Sequence, residues 1–414
     1  MNQESKKPVV RDRGSDAKRD TIARDPGMQS VGKEAQKAAR RVPPSGRYLG
    51  GTTSRPERTN AKTSLIPAAS AASASLVIAA VQPPKANKEM QAVLDQLGSL
   101  GGKPFETLTP EEARQQPTPA DAVKALLKKR GQSTTPEPVA KVENKSIAGA
   151  GGKIPIRIYT PAGAGPFPVV FYIHGGGWVI ADLDTYDSSP RALANAAKAV
   201  VVSTHYRQAP EHPFPASHDD VFVAYQWVRA NAASFDGDPN RIAIVGESAG
   251  GNMAAAISLM ARERNVPLPV HQVLVYPVAD TDTNSPSFQE NADAKPLNKA
   301  MMGWFAKHEF KKPQDAKDPR IELVNANLRG LPSTTIITAQ IDPLRSSGER
   351  LAEKLKAAGV DVEFKNYDGV THEFFGMGAV LDEAKDATKF AARNLKKAFN
   401  RSNKGEAKQE KPKK

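Results

Sequence analysis

Arg241-Ile242-Ala243-Ile244-Val245-Gly246-Glu247-Ser248-Ala249-Gly250-Gly251-Asn252-Met253-Ala254-Ala255-Ala256 is an apolar, β-branched run that passes through a serine flanked by glycines into an alanine-rich segment. The run follows an Asp238-Pro239-Asn240 turn and reads as a buried parallel strand. From Gly251 to Arg264 the chain is rich in Ala, Met, Leu and Ile and reads as a helix. A strand that turns tightly into a helix at G-x-S-x-G holds the central side chain on a strained bend, and small neighbours leave its hydroxyl accessible. Ser248 is therefore the candidate nucleophile. The bare five-residue pattern is weak in a chain with 30 glycines, so the strand and helix around it carry the reading.

Outward from this elbow, strands alternate with helices. Strand-like runs cover Ile154 to Tyr159, Val169 to Ile173, Val200 to Thr204, Val273 to Tyr276, Thr335 to Thr338 and Val362 to Tyr367. Helix-like stretches cover Ser189 to Lys198, Ala216 to Ala233, Ser346 to Ala358 and Asp382 to Phe399. Such alternation predicts an α/β fold with a mostly parallel central sheet flanked by helices on both faces. Asp280 to Phe310 breaks the rhythm: it is long, polar at first, and ends in Met301-Met302-Gly303-Trp304-Phe305. An insertion there lies above the carboxyl ends of the strands, where open α/β sheets bind ligands. Two short amphipathic helices precede the core, with Met90, Val93, Leu94 and Leu97 on one and Val123, Leu126 and Leu127 on the other, and Pro136 and Pro138 mark the boundary after them.

The net charge of +13 resembles a nucleic-acid signal until it is divided along the chain. Residues 1–64 hold 15 Lys/Arg against 7 Asp/Glu, residues 401–414 hold 6 against 2, and the intervening 336 residues hold 37 against 36. The basicity thus belongs to two tails, each read as a disordered extension, around a neutral core. Leu65 to Gln82 is uncharged and Ala/Ser-rich, so residues 65–84 are a cleaved signal, a vestigial signal or a plain linker. The absence of cysteine excludes disulfides, thiolate metal sites and a cysteine nucleophile.

A serine hydroxyl needs a base to take its proton and an acid to hold that base. In the chain order Ser, acid, His of α/β-hydrolase folds, His372 is the base by elimination, because no other histidine lies beyond residue 308. It sits in Asp368-Gly369-Val370-Thr371-His372-Glu373, just past the last strand. Asp342 directly follows the run Thr335 to Ile341 and is the candidate acid. Asp361 lies at the wrong end of its strand, and Asp368 is very near His372 in sequence. His174-Gly175-Gly176-Gly177-Trp178 follows another strand, and the N–H groups of Gly176, Gly177 and Ala249 are the expected oxyanion donors. Trp178, Trp304 and Phe375 are candidates to line an apolar substrate site. No metal site suggests itself.

HGGGW, the stretch Tyr206-Arg207-Gln208-Ala209-Pro210-Glu211-His212-Pro213-Phe214-Pro215-Ala216, GESAGG, Asp342-Pro343-Leu344-Arg345 and the late histidine together resemble the hormone-sensitive lipase family of bacterial carboxylesterases, over roughly residues 88–400. The resemblance implies an α/β-hydrolase core over 140–400, no cofactor, and a helical cap built from N-terminal helices within 85–139 and an insertion at about 280–312. It also implies a serine carboxylesterase for short to medium acyl esters. The expected partner is a small-molecule ester; no nucleic acid and no stable membrane insertion are expected, and a homodimer is compatible with the pattern. Three positions depart from the family's pattern: Glu247 where Asp is commoner, His205 where an Asp usually precedes Tyr-Arg, and Glu373 where Gly commonly follows the histidine. The competing readings are a ligand-binding protein on the same scaffold and a polyanion-binding protein driven by the tails.

Overall fold

A computed structural model describes residues 84–409; the extension over 1–64, nearly all of the segment over 65–84 and the last five residues lie outside the described residues. Eight strands form one sheet: β1 (Lys141–Gly149), β2 (Gly152–Thr160), β3 (Phe167–Ile173), β4 (Val200–Thr204), β5 (Gly237–Glu247), β6 (Gln272–Val275), β7 (Thr334–Ile341) and β8 (Val362–Thr371). Their order is β1-β2-β4-β3-β5-β6-β7-β8. The first two pairings, β1 with β2 and β2 with β4, are antiparallel, and every pairing from β4 to β8 is parallel. The helices are α1 (Lys88–Ser99), α2 (Pro110–Ala113), α3 (Pro119–Lys129), α4 (Ser188–Ala197), α5 (Ala216–Asn231), α6 (Ala249–Glu263), α7 (Pro286–Glu290), α8 (Lys299–Glu309), α9 (Arg345–Ala357) and α10 (Asp382–Gln409).

The side-chain period of two assigns the layers. On β3, Val169, Phe171 and Ile173 join a core with α5, α6 and α9, whereas Val170 and Tyr172 join one with α4 and α10. Each fully buried Val, Ile or Phe in these layers contributes about 1.5–3 kcal/mol. Helix α6 is buried from Ala249 to Ala261, and its small residues let it lie close under the sheet. A polar group inside the core can find partners on its own strands: His271, pushed down to about 4 by burial, bridges Ser333 Oγ and Thr335 Oγ1.

The N-terminal region divides in two. Asn87 caps α1 through the Met90 N–H, and Thr118 with Asp121 forms a capping box on α3. These two helices join the α4–α10 core; the Asn87 N–H donates to Gly369 O, and fully buried Met90 meets the Thr371 hydroxyl. The segment Phe105–Ala113 instead reaches α8, where the Phe105 ring meets Trp304 edge-on at 6.0 Å. The insertion at 280–312 holds α7 and α8, the latter capped by Asn298.

Two boundaries differ from expectation. Strand β1 was not anticipated, because it is an exposed edge that buries Ile147 alone and so lacks an apolar rhythm. The tail over 401–414, expected to be disordered, is helical through Gln409. Extending an existing helix avoids the cost of nucleation. Arg401 also pairs with Asp361 at 3.1 Å, and the Ser402 hydroxyl donates to Asn240 O.

Candidate active site

Ser248 leaves β5 with φ 57° and ψ −119°, a conformation that a serine adopts only when its surroundings impose it. Here they do. The Ser248 N–H donates to Val275 O, and its carbonyl accepts from the Asn252 N–H. A Cβ on Gly250 would lie 2.1 Å from Ile173 O, and one on Gly246 2.1 Å from Gly250 O, so the elbow closes only with glycine at both places.

Asp342 is the first residue after β7 and His372 the first after β8, so the candidate acid and base emerge at the carboxyl ends of neighbouring parallel strands. His372 Nδ1 donates to Asp342 Oδ2 at 2.7 Å, and His372 Nε2 accepts from Ser248 Oγ at 2.9 Å. The other Asp342 oxygen accepts the Leu344 N–H at 2.8 Å, which orients the carboxylate. Burial pushes the His372 imidazole down, but the charge and hydrogen bond of Asp342, with Glu373 and Glu247 behind, outweigh it and leave the ring above its ordinary value. The rivals stay away: Asp361 pairs with Arg401, and Asp368 accepts from Asn366.

Gly176 has φ 95° and Gly177 φ 57°, so the loop after β3 curls back on itself, and a Cβ on Gly176 would strike Ile180 O at 2.2 Å. Among the described residues no protein acceptor takes the N–H groups of Gly176, Gly177 or Ala249. The loop is braced from behind. His174 Nδ1 donates to Gly175 O at 2.9 Å, leaving Nε2 to accept from His205 Nδ1 at 3.1 Å. Tyr206 stacks on His174 and its hydroxyl donates to Gly175 O; Gln208 donates to Ile180 O and Ala181 O; Arg207 makes a bidentate pair with Asp220. His205 thus supports the loop with a ring nitrogen. Burial, reinforced by His205, pushes His174 down to about 3, so the pair stays neutral.

The three aromatic residues assigned to the pocket differ. Trp304 on α8 packs against Phe105, Phe305 and His308, and its indole N–H donates to Leu108 O. Trp178 is buried over His218 and Phe310, its indole N–H without a protein partner. Phe375, expected to line the substrate site, is 1 % exposed and packs among the residues of the α4–α10 layer.

The residues not anticipated lie behind and beside Ser248, His372 and Asp342. The buried Glu247 carboxyl accepts from the Tyr172 and Tyr276 hydroxyls, and burial pushes it up to about 7. The Tyr276 ring lies 4.4 Å from that of His372. Glu373, with φ 71°, accepts from the Tyr186 hydroxyl at 2.6 Å. On α5, His218 donates to Asn252 Oδ1 and burial pushes it down to about 4. Beside it Glu309, 0 % exposed, has one oxygen 3.5 Å from the Ser217 hydroxyl and the other without a partner. The sequence marks Glu247 and Glu373 as departures, but nothing in it points to the tyrosines that hold them.

Residues 170–376 match the family model described as alpha/beta hydrolase fold. The carboxylesterase NlhH of Mycobacterium tuberculosis is 41 % identical over 291 residues, covering 68 % of this chain and 91 % of the relative. The ethyl acetate hydrolase of Pseudomonas putida is 31 % identical over 307 residues, covering 72 % and 94 %. The solved esterase of Pyrobaculum calidifontis superposes with a TM-score of 0.68 at 36 % identity, covering 76 % of this chain and 99 % of that one. With likeness running through the whole folded core of esterases in sequence and in structure alike, the chain belongs to the hormone-sensitive-lipase-like family of α/β-hydrolase-fold carboxylesterases and is a carboxylic ester hydrolase.

Proposed function

We propose that Ser248, His372 and Asp342 form the catalytic triad of this esterase and that its substrates are short to medium acyl esters. The observation that carries the reading is the unbroken hydrogen-bonded chain from Asp342 through His372 to Ser248 at the tip of a strained elbow. His372 Nε2 takes the Ser248 proton as Oγ attacks the ester carbonyl, and the N–H groups of Gly176, Gly177 and Ala249 stabilise the oxyanion. Nε2 then protonates the departing alcohol. Water repeats both steps on the acyl-enzyme, while Asp342 holds the ring in one tautomer. The packing of Phe305 against the Gly177 loop, with a Cβ there only 2.3 Å from its ring, supports a confined acyl site. A relative whose name specifies ethyl acetate supports the same size range.

The test is hydrolysis of p-nitrophenyl esters from acetate to palmitate, with Ser248→Ala alongside. Turnover should peak at short or medium chains and fall roughly four to six orders of magnitude in kcat in the variant. A variant with ordinary turnover would remove Ser248 from the mechanism, and a maximum at palmitate would overturn the size reading. A folded wild type inert toward every ester would favour ligand binding on this scaffold instead.

A further inference from the structure

His372 has a second carboxylate within reach. Glu373 Oε1 lies 3.8 Å from His372 Nε2, the ring nitrogen that faces Ser248, whereas Asp342 holds the opposite nitrogen. The Glu373 side chain is fixed by the Tyr186 hydroxyl. That hydroxyl stands beside the nucleophile, since a Cβ on Gly175 would touch both Tyr186 Oη at 2.4 Å and Ser248 Cβ at 3.1 Å. Glu373 also has φ 71°, a backbone region that suits glycine better than glutamate. A strained residue beside reacting atoms calls for a role of its side chain.

Resting on the triad reading above, we propose that Glu373 is a second carboxylate partner of His372, acting at the nitrogen that Asp342 does not reach, and that it directs the site toward esters with a cationic alcohol. The first half follows from timing. When Nε2 carries the serine proton the ring is an imidazolium, and a carboxylate 3.8 Å away stabilises that state more than the neutral ring. The second half follows from position. The leaving oxygen must approach Nε2 within about 3 Å to be protonated, which brings it to within roughly 7 Å of Glu373. The side chain is 21 % exposed and its carboxylate stands beside the ring nitrogen that faces Ser248, so its charge acts close to the reacting atoms.

The groups facing Glu373 are the His372 ring, the Tyr186 hydroxyl, the Asp342 carboxylate beyond the ring, and Glu247 behind Tyr172 and Tyr276. Among the described residues no lysine or arginine pairs with it. Burial raises its carboxyl above the ordinary value, against the lowering effects of His372 and Tyr186. The substrate comparison is therefore read at pH 8 to 9; at the acidic limb the protonated His372 ring itself favours the ionised carboxylate, because the two charges attract.

The test uses Glu373→Gln, which keeps an acceptor for Tyr186, and Glu373→Gly, which relieves the backbone and so guards against misfolding. In both, the acidic limb of kcat/KM for p-nitrophenyl acetate should move down by about one pH unit, because a negative charge beside the imidazolium is gone. The plateau should fall roughly tenfold. The kcat/KM ratio of acetylcholine to its uncharged isostere, with tert-butyl in place of trimethylammonium, should fall about three- to tenfold in both variants. A limb that stays in place in both variants overturns the assignment, and an unmoved charge ratio overturns its substrate half. Ser248→Ala separates the two readings: if it abolishes turnover while the Glu373 variants behave as wild type, the triad stands and this inference fails.

Discussion

Replacing Glu309 with glutamine should stabilise the protein, and by more as the pH rises. The carboxyl sits at the last residue of α8, 0 % exposed, with one oxygen unpartnered and the other 3.5 Å from the Ser217 hydroxyl. Burial therefore pushes it up to about 9. In the unfolded chain the same group titrates near 4.3. Between those values the folded state holds a proton that the unfolded state has released, so stability falls as pH rises, by about 1.36 kcal/mol per unit. Glutamine has no such proton. Over the three units from pH 5 to pH 8 the stability difference between variant and wild type should grow by roughly 4 kcal/mol. Urea denaturation at the two pH values measures it directly. With a slope of about 3 kcal/mol/M or somewhat more for a core of this size, the midpoints should separate by roughly 1 M further at pH 8. A difference equal at the two pH values would mean that Glu309 ionises freely in the folded protein, and the burial argument would be wrong.

Other consequences are equally checkable. Because His372 lies above its ordinary 6.5, kcat/KM for the wild type should fall about tenfold per pH unit below a limb at or above 6.5, and a profile flat to pH 5 would exclude this base. Gly250→Ala drives a methyl into Ile173 O at 2.1 Å, so the elbow must shift; kcat should fall at least about a hundredfold even where circular dichroism stays native, and an active variant would refute the close approach. Trp304→Ala removes a ring packed on Phe105 and a hydrogen bond to Leu108 O. It should cost about 3–5 kcal/mol and expose the Phe105–Ala113 segment to limited proteolysis, and a cleavage pattern like that of the wild type would uncouple that segment from α8.

Most of the parallel core was legible because strands such as Val200–Thr204 are buried on both faces and read as continuous apolar runs. β1 was not, since Lys141–Gly149 gains its place from hydrogen bonds to β2 and buries almost nothing. β8 was read short, ending at Tyr367. Its final residues, Asp368-Gly369-Val370-Thr371, look like a turn, and β7 pairs with them again only at Thr371, after a register shift between Ala339 and Ile341. Candidate site residues could be named where a motif ties residue type to a strand end, as at Ser248, Asp342 and His372. Phe375 could not be placed, because which way an aromatic ring faces after a turn depends on packing. The same limit hid Tyr172, Tyr186 and Tyr276, ordinary core tyrosines until Glu247 and Glu373 are brought against them.

The neutral histidines inside the core determine how this protein meets acid. His174, His218 and His271 are held down to about 3, 4 and 4 by burial, whereas an unfolded histidine takes up its proton near 6.5. Each therefore withdraws about 1.36 kcal/mol of stability per unit as the pH drops below 6.5. Down to about 4.5 the raised carboxyls of Glu247 and Glu309 work in the opposite sense and leave the slope shallow. Below that the raised carboxyls no longer oppose the histidines, and carboxylates held low in the folded state, such as Glu211 at about 2 beside Arg114, add to the loss, so the histidines alone withdraw roughly 4 kcal/mol per unit until the pH nears their folded values. A domain of about 5–15 kcal/mol does not withstand that for long. Mild acidification should thus suspend catalysis by protonating His372 while the fold stands, and stronger acidification should unfold the protein through proton uptake at its buried histidines.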